Sequence, residues 1–167
     1  MNRIVENKYL LRSARLSSWD YGSNGKYYVT ICTDRKIPYF GHMEIKGLVP
    51  TLIGDYTKHC WESLPEHHPF VELDSFTLMP NHLHGILYIR KKDQKARDLN
   101  HFGSQSRNLA TVVDSFKSLV ELYAETQSID FEWQARYSNR IIRNDRELNH
   151  IRDYIRNIPR QWFINNL

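Results

Sequence analysis

Cysteine is scarce in this chain, with only Cys32 and Cys60 among 167 residues. They form no Cys-x-x-Cys pair and lie in apolar or amphipathic stretches, so both read as reduced core residues and no disulfide framework is expected. Long apolar runs are missing too. No stretch approaches the roughly 18 residues of a membrane span, and the opening Met1-Asn2-Arg3-Ile4-Val5-Glu6 lacks an apolar signal core. These absences predict a soluble cytoplasmic protein with no membrane partner. There is no internal repeat, low-complexity tract or domain linker, which favours one domain over 1–167. Nor does one sign of charge dominate. The formal charge of +4 permits a polyanionic partner without requiring one.

What the chain does have is a mixture of strand and helix signals. Residues 1–25 form a polar, basic arm. Tyr27 to Thr33 alternates and is rich in β-branched and aromatic residues, as strands are. Tyr39-Phe40 and Met43 to Leu48 suit a short hairpin. Pro50 opens an amphipathic helix carrying Leu52, Ile53, Tyr56, Cys60 and Trp61, which Pro65 ends. Phe70 to Leu78 and Leu83 to Arg90 read as the arms of an antiparallel hairpin turning at Pro80-Asn81. The charged segment 91–107 reads as a solvated, mobile loop or as a loop that meets phosphates. Leu109 to Thr126 is a second amphipathic helix, and Phe131 to Ile142 a strand or extended arm. Asn144-Asp145-Arg146-Glu147 has capping-box spacing and starts a last helix over 145–157, broken by Pro159. This pattern predicts an α+β domain with a mainly antiparallel sheet.

The chemistry concentrates in Met79-Pro80-Asn81-His82-Leu83-His84-Gly85. On a strand, residues two apart share a face, so His82 and His84 stand side by side. Two neutral imidazoles suit a divalent metal, though from the spacing alone a surface or hydrogen-bonded pair is the more ordinary reading. On the last helix Tyr154 lies on or beside the apolar face set by Leu148, Ile151 and Ile158. It reads as a core tyrosine or, near a metal, as a nucleophile. Spacing alone does not link Tyr154 to the histidines.

The chain resembles the REP-associated tyrosine transposases, a branch of the single-tyrosine HUH transposases, from about Arg12 to Trp162. The resembling stretches are Leu11 to Leu16, Trp19-Asp20-Tyr21, Gly25 to Thr33, Phe40-Gly41 and the His82/His84 motif itself. Later come Phe116-Lys117-Ser118, Trp133-Gln134 with Tyr137, Ile141 to Asn144, and Tyr154-Ile155 with Pro159 and Trp162. The resemblance implies a ferredoxin-like antiparallel sheet with helices packed on one face and the tyrosine on a C-terminal helix. It implies that His82 and His84 bind Mg²⁺ or Mn²⁺, and that Tyr154 attacks single-stranded DNA to form a 5′-phosphotyrosine link. The implied partner is a hairpin with an unpaired flank, handled by a nucleoid-associated monomer or homodimer without a nucleotide cofactor. Candidate phosphate contacts are Arg12, Arg15, Lys91, Lys92, Lys117, Arg136, Arg140, Arg143 and Arg152, each of which also reads as a solvated cation. Trp133 and Tyr137 are candidates for stacking on bases or for core packing.

The usual pattern of the tyrosine helix, Tyr-Ile-x-x-Asn-Pro, is broken. Here Ile158 takes the place of the metal-binding Asn, and Asn157 is rotated by about 100° from it. Asn157 could serve if the helix end shifts. Otherwise water fills the place, or the site is weakened. Two alternatives to an active transposase follow: a hairpin-binding protein with weakened catalysis, and a small zinc-dependent hydrolase, which lacks a well-spaced third ligand.

Overall fold

The computed structural model describes residues 24–92 and 107–167. The N-terminal arm, with Arg12 and Arg15, and most of the 91–107 segment lie outside the described residues. The strands are β1 (Gly25–Cys32), β2 (Gly41–Glu44), β3 (Gly47–Pro50), β4 (Val71–Met79), β5 (His82–Ile89) and β6 (Ser138–Ile142). The helices are α1 (Leu52–Glu62), the short α2 (Leu64–His67), α3 (Leu109–Thr126) and α4 (Asp145–Asn165). None of the described helices is long and apolar enough to cross a membrane.

Four strands form an antiparallel sheet in the order β4-β5-β1-β6, with β2 and β3 as a separate hairpin. This is the ferredoxin-like order expected from the resemblance. Strand alternation sorts the side chains by face. Tyr27, Val29 and Ile31 of β1, with Leu83 and Leu87 of β5, join Trp61 of α1 and Phe116 of α3 in the larger core. Trp61 stands edge-on to Phe116 at 5.6 Å between centroids, and Tyr56 of α1 stacks on Tyr123 of α3 at 3.8 Å. The opposite face is not open. Tyr28, Ile86, Tyr88 and Ile142 pack there against Leu148, Ile151 and Ile155 of α4. Helices α1 and α3 thus share one face as expected, while the C-terminal helix covers the other.

Several local expectations need correction. Pro50 closes β3, and the α1 cap is Thr51, whose hydroxyl accepts from the Gly54 N–H at 3.1 Å. Pro65 sits in the first turn of α2 rather than after a helix, where its missing N–H has no partner to lose. The strand expected from Phe131 starts only at Ser138, and Trp133 makes a single isolated bridge to Thr33. The last helix passes through Pro159 to Asn165. An interior proline costs about 3 kcal/mol. Burial of Ile155 and Ile158 before it, and the contact of Trp162 beyond it with His82, offset that loss. Asn144 caps α4 by accepting from the Glu147 N–H at 2.8 Å. Glu147 reaches back to the N–H of Arg143, one residue before the usual box partner.

Candidate active site

The site lies on the α4 face, near the end of the sheet where β5 begins. Register places Cys32 and Met79 on either side of His82, and Thr30 and Thr77 on either side of His84. The two imidazoles stand nearly perpendicular, 4.8 Å between centroids. Helix α4 runs past them toward its C-terminus. The Tyr154 ring meets His84 edge-on at 5.9 Å, and the Trp162 ring lies 5.6 Å from His82. The step of eight residues from Tyr154 to Trp162 makes about two turns. Folding therefore supplies the link that spacing could not, joining both halves of the site within one chain.

Gly85 shows why the motif continues as it does. A Cβ there would lie 2.2 Å from Cζ2 of Trp61, on the face away from the histidines. Trp61 in turn stacks on Phe76 of β4, 5.1 Å between centroids. Only a bare backbone lets this indole lie against β5.

Each histidine has its Nδ1 engaged. His82 Nδ1 lies 2.6 Å from Oδ1 of Asn81, which fixes that nitrogen as the donor. His84 Nδ1 is 2.7 Å from the Tyr28 hydroxyl and 3.1 Å from Thr30 Oγ1, and the Tyr28 and His84 rings are nearly parallel. This leaves Nε2 of each ring for a further ligand. Such outer partners orient metal-binding imidazoles. Burial, and after it the charge of Lys36, holds His82 to a pKa of about 4. Burial, and after it His82, pushes His84 well below the usual histidine range. Both rings are neutral at neutral pH, as metal ligation requires.

The donor set fits a divalent ion held by two nitrogens. Among the described residues no third His, Cys, Asp or Glu completes a cluster with them. Ile158, one turn from both Tyr154 and Trp162, is only 7% exposed and offers no donor. Asn157 is exposed on the flank of α4, and no hydrogen bond or ring contact among the described residues joins it to the pair. Two imidazoles with water or phosphate oxygens suit Mn²⁺ better than Mg²⁺, which prefers oxygen throughout.

The expected DNA contacts divide. Lys92, Arg136 and Arg143 are exposed. Lys91 bonds to Asn24 through its backbone N–H at 2.8 Å. Lys117 is half-buried and donates to the Gln134 carbonyl at 2.9 Å, and burial lowers its pKa. Arg140 pairs with Glu147. Arg152 is committed to Asp74, its Nε donating at 2.9 Å and its Nη2 to the second carboxylate oxygen. Tyr88 donates to the same carboxylate. A bulge in β4 between Leu73 and Phe76 turns Asp74 toward α4. The Arg152 bonds hold its carboxyl well below the usual carboxylate range. Base stacking by Trp133 is a correction. Its ring is 5% exposed and walled by Phe40, Phe116 and Phe131, so neither face is open. Tyr137 is half-buried against the same core.

Sequence reasoning missed Tyr28, Thr30, Asn81 and Trp162 as parts of the site. Alternation in β1 could have placed Tyr28 and Thr30 on one face, but not opposite His84.

Comparison with known proteins bears on this arrangement at two levels. A solved REP-associated tyrosine transposase, bound to a REP hairpin, matches with a TM-score of 0.59 over 86% of this chain and 71% of its own, at 17% identity. A solved chain from Deinococcus radiodurans covers 84% of this one at 13% identity, with a TM-score of 0.43 too low to carry weight. No protein-family model matches. The fold is therefore that of a REP-associated tyrosine transposase. Within that fold, the chain belongs to the same family as an uncharacterized protein of Haemophilus influenzae. The two are 36% identical over 161 residues, covering 90% of this chain and 89% of that protein.

Proposed function

We propose that the protein is a metal-dependent DNA strand transferase that cleaves single-stranded DNA beside a hairpin through Tyr154. One observation carries this reading: Tyr154 on α4 stands edge-on against His84 on β5, in a fold shared with a transposase solved on a hairpin. The Nε2 atoms of His82 and His84 would hold the ion, and when bound it polarises the phosphate and stabilises the charge developing there. The chain's own residues do the rest. Asn81, Tyr28 and Thr30 fix the imidazole rings, and Asp74 with Arg152 holds α4 to the sheet two residues before Tyr154. The Tyr154 oxygen forms a bond to phosphorus while the bond to the 3′ oxygen breaks. The phenolic proton ends on the released 3′-hydroxyl, and the 5′ end stays on the protein as a phosphotyrosine ester. One diester replaces another, so the step is reversible and needs no nucleotide cofactor.

The decisive assay incubates the protein with labelled hairpin DNA and Mn²⁺ and looks for a denaturation-resistant protein–DNA adduct. An adduct that disappears in Tyr154→Phe is expected. Hydrolysed DNA without an adduct would sink the tyrosine mechanism. A second reading, a hairpin-binding protein with weakened cleavage, draws on the apolar Ile158 between Tyr154 and Trp162. It predicts tight binding without an adduct across metals.

A further inference from the structure

The turn after β1 is tied to the histidine pair through Asn81. The Asn81 carbonyl accepts from both the N–H and the hydroxyl of Thr33, each at 3.0 Å. The Asn81 side chain donates to the Lys36 carbonyl at 3.1 Å, while its oxygen faces His82 Nδ1 at 2.6 Å. One amide therefore braces both the His82 ring and the turn carrying Lys36. That turn is strained. Arg35 and Lys36 have φ of 48° and 55°, a left-handed conformation that residues other than Gly or Asn adopt only at a cost. Such strain concentrates where a side chain must be held in one place.

The two strained residues differ. Arg35 pairs with Asp34 at 2.9 Å, whereas Lys36 is exposed and makes no ion pair among the described residues. Its backbone is tied through the Asn81 amide to His82, which faces Cys32 across the strands. Three cations on or beside α4 are held in ion pairs: Arg152 with Asp74, Arg140 with Glu147 and Arg156 with Asp153. A phosphate arriving at the two imidazoles meets the exposed charge of Lys36 from the bordering turn.

We infer that Lys36 is a phosphate-binding residue of this site and contacts the backbone phosphodiester of a DNA single strand beside His82 and His84. It supplies charge where Ile158 supplies no ligand. This rests on the strand-transfer reading for its substrate, but it is tested by binding as well as by chemistry.

The test measures fluorescence anisotropy of a labelled hairpin oligonucleotide with single-stranded flanks over a series of salt concentrations. Lys36→Gln should flatten the slope of log K against log salt by about 0.7, the value of one single-strand phosphate contact. Lys36→Arg should keep the slope, and so should Lys58→Gln, which alters an exposed cation on α1 across the sheet. Lys36→Gly suits the left-handed backbone. It should lose the same slope while melting no lower than wild type, which separates charge from folding. An unchanged slope in both Lys36→Gln and Lys36→Gly overturns the inference. The adduct assay runs in parallel, where Lys36→Gln should slow adduct formation by about tenfold or more. A Lys36-dependent slope without any adduct from wild type supports the phosphate contact and removes strand transfer. An adduct from wild type with no Lys36 effect in either assay does the reverse. If wild type binds no oligonucleotide, both fall.

Discussion

The Tyr28 hydroxyl and His84 Nδ1 lie 2.7 Å apart, joining neighbouring strands on the α4 face. Thr30 Oγ1 stands 3.1 Å from the same nitrogen, so the ring has two oriented partners. Tyr28→Phe should weaken Mn²⁺ binding by about 10-fold, and Tyr28→Phe with Thr30→Val by about 100-fold, as measured by calorimetry. A double variant no worse than the single would mean that Thr30 does not hold the ring.

The depressed histidine pKa values give a signed pH dependence. In chelator-treated protein, His82 stays neutral down to about pH 4, while an unfolded histidine takes a proton near 6.5. Between those values the unfolded state binds more protons, so stability is full above about pH 6.5 and falls as pH drops toward 4. Urea midpoints at pH 7.5 and pH 5 should differ in that direction. His82→Gln should remove a measurable part of the difference.

Ile158→Asn places an amide where the family pattern has one. Mn²⁺ affinity should rise by about tenfold, roughly 1.4 kcal/mol. The melting temperature should fall, because a buried polar group without its metal costs about 1–3 kcal/mol. Affinity unchanged in a folded variant would mean that position 158 does not face the ion.

Asp74→Asn leaves Arg152 facing a neutral amide. A loss of about 2 kcal/mol is expected, seen as a fall in melting temperature of roughly 4–8 °C. Because the Asp74 carboxyl titrates below its usual range, its stabilisation is full above about pH 4 and disappears in stronger acid. The gap between wild type and variant should therefore close as pH falls below 4.

The sheet, the hairpin turning at Pro80-Asn81 and both long amphipathic helices were legible because alternation and helical spacing record which side chains meet the core. The pairing of His82 with His84 was legible for the same reason. What period cannot encode is partnership across elements. Tyr154 meets His84, and Arg152 meets Asp74, only because α4 lies along β5 and β4, and a bulge that carries no sequence signature turns Asp74 inward. Trp133 misled because an aromatic among basic residues looks alike whether it caps a core or greets a base. Pro159 misled because local propensity was set against tertiary burial, and burial won.

Strand β5 works as a reading frame. Its odd positions, Leu83, Gly85 and Leu87, read into the Trp61 core, and its even positions, His82, His84 and Ile86, read toward α4. A slip of one residue would exchange the two messages at once, sending imidazoles into an apolar core and leucines to the tyrosine. The indole seated on Gly85 prevents such a slip, because any other residue of β5 would bring a side chain into its space. Correct decoding of the histidine face is thus enforced from behind, by a residue on the other side of the sheet.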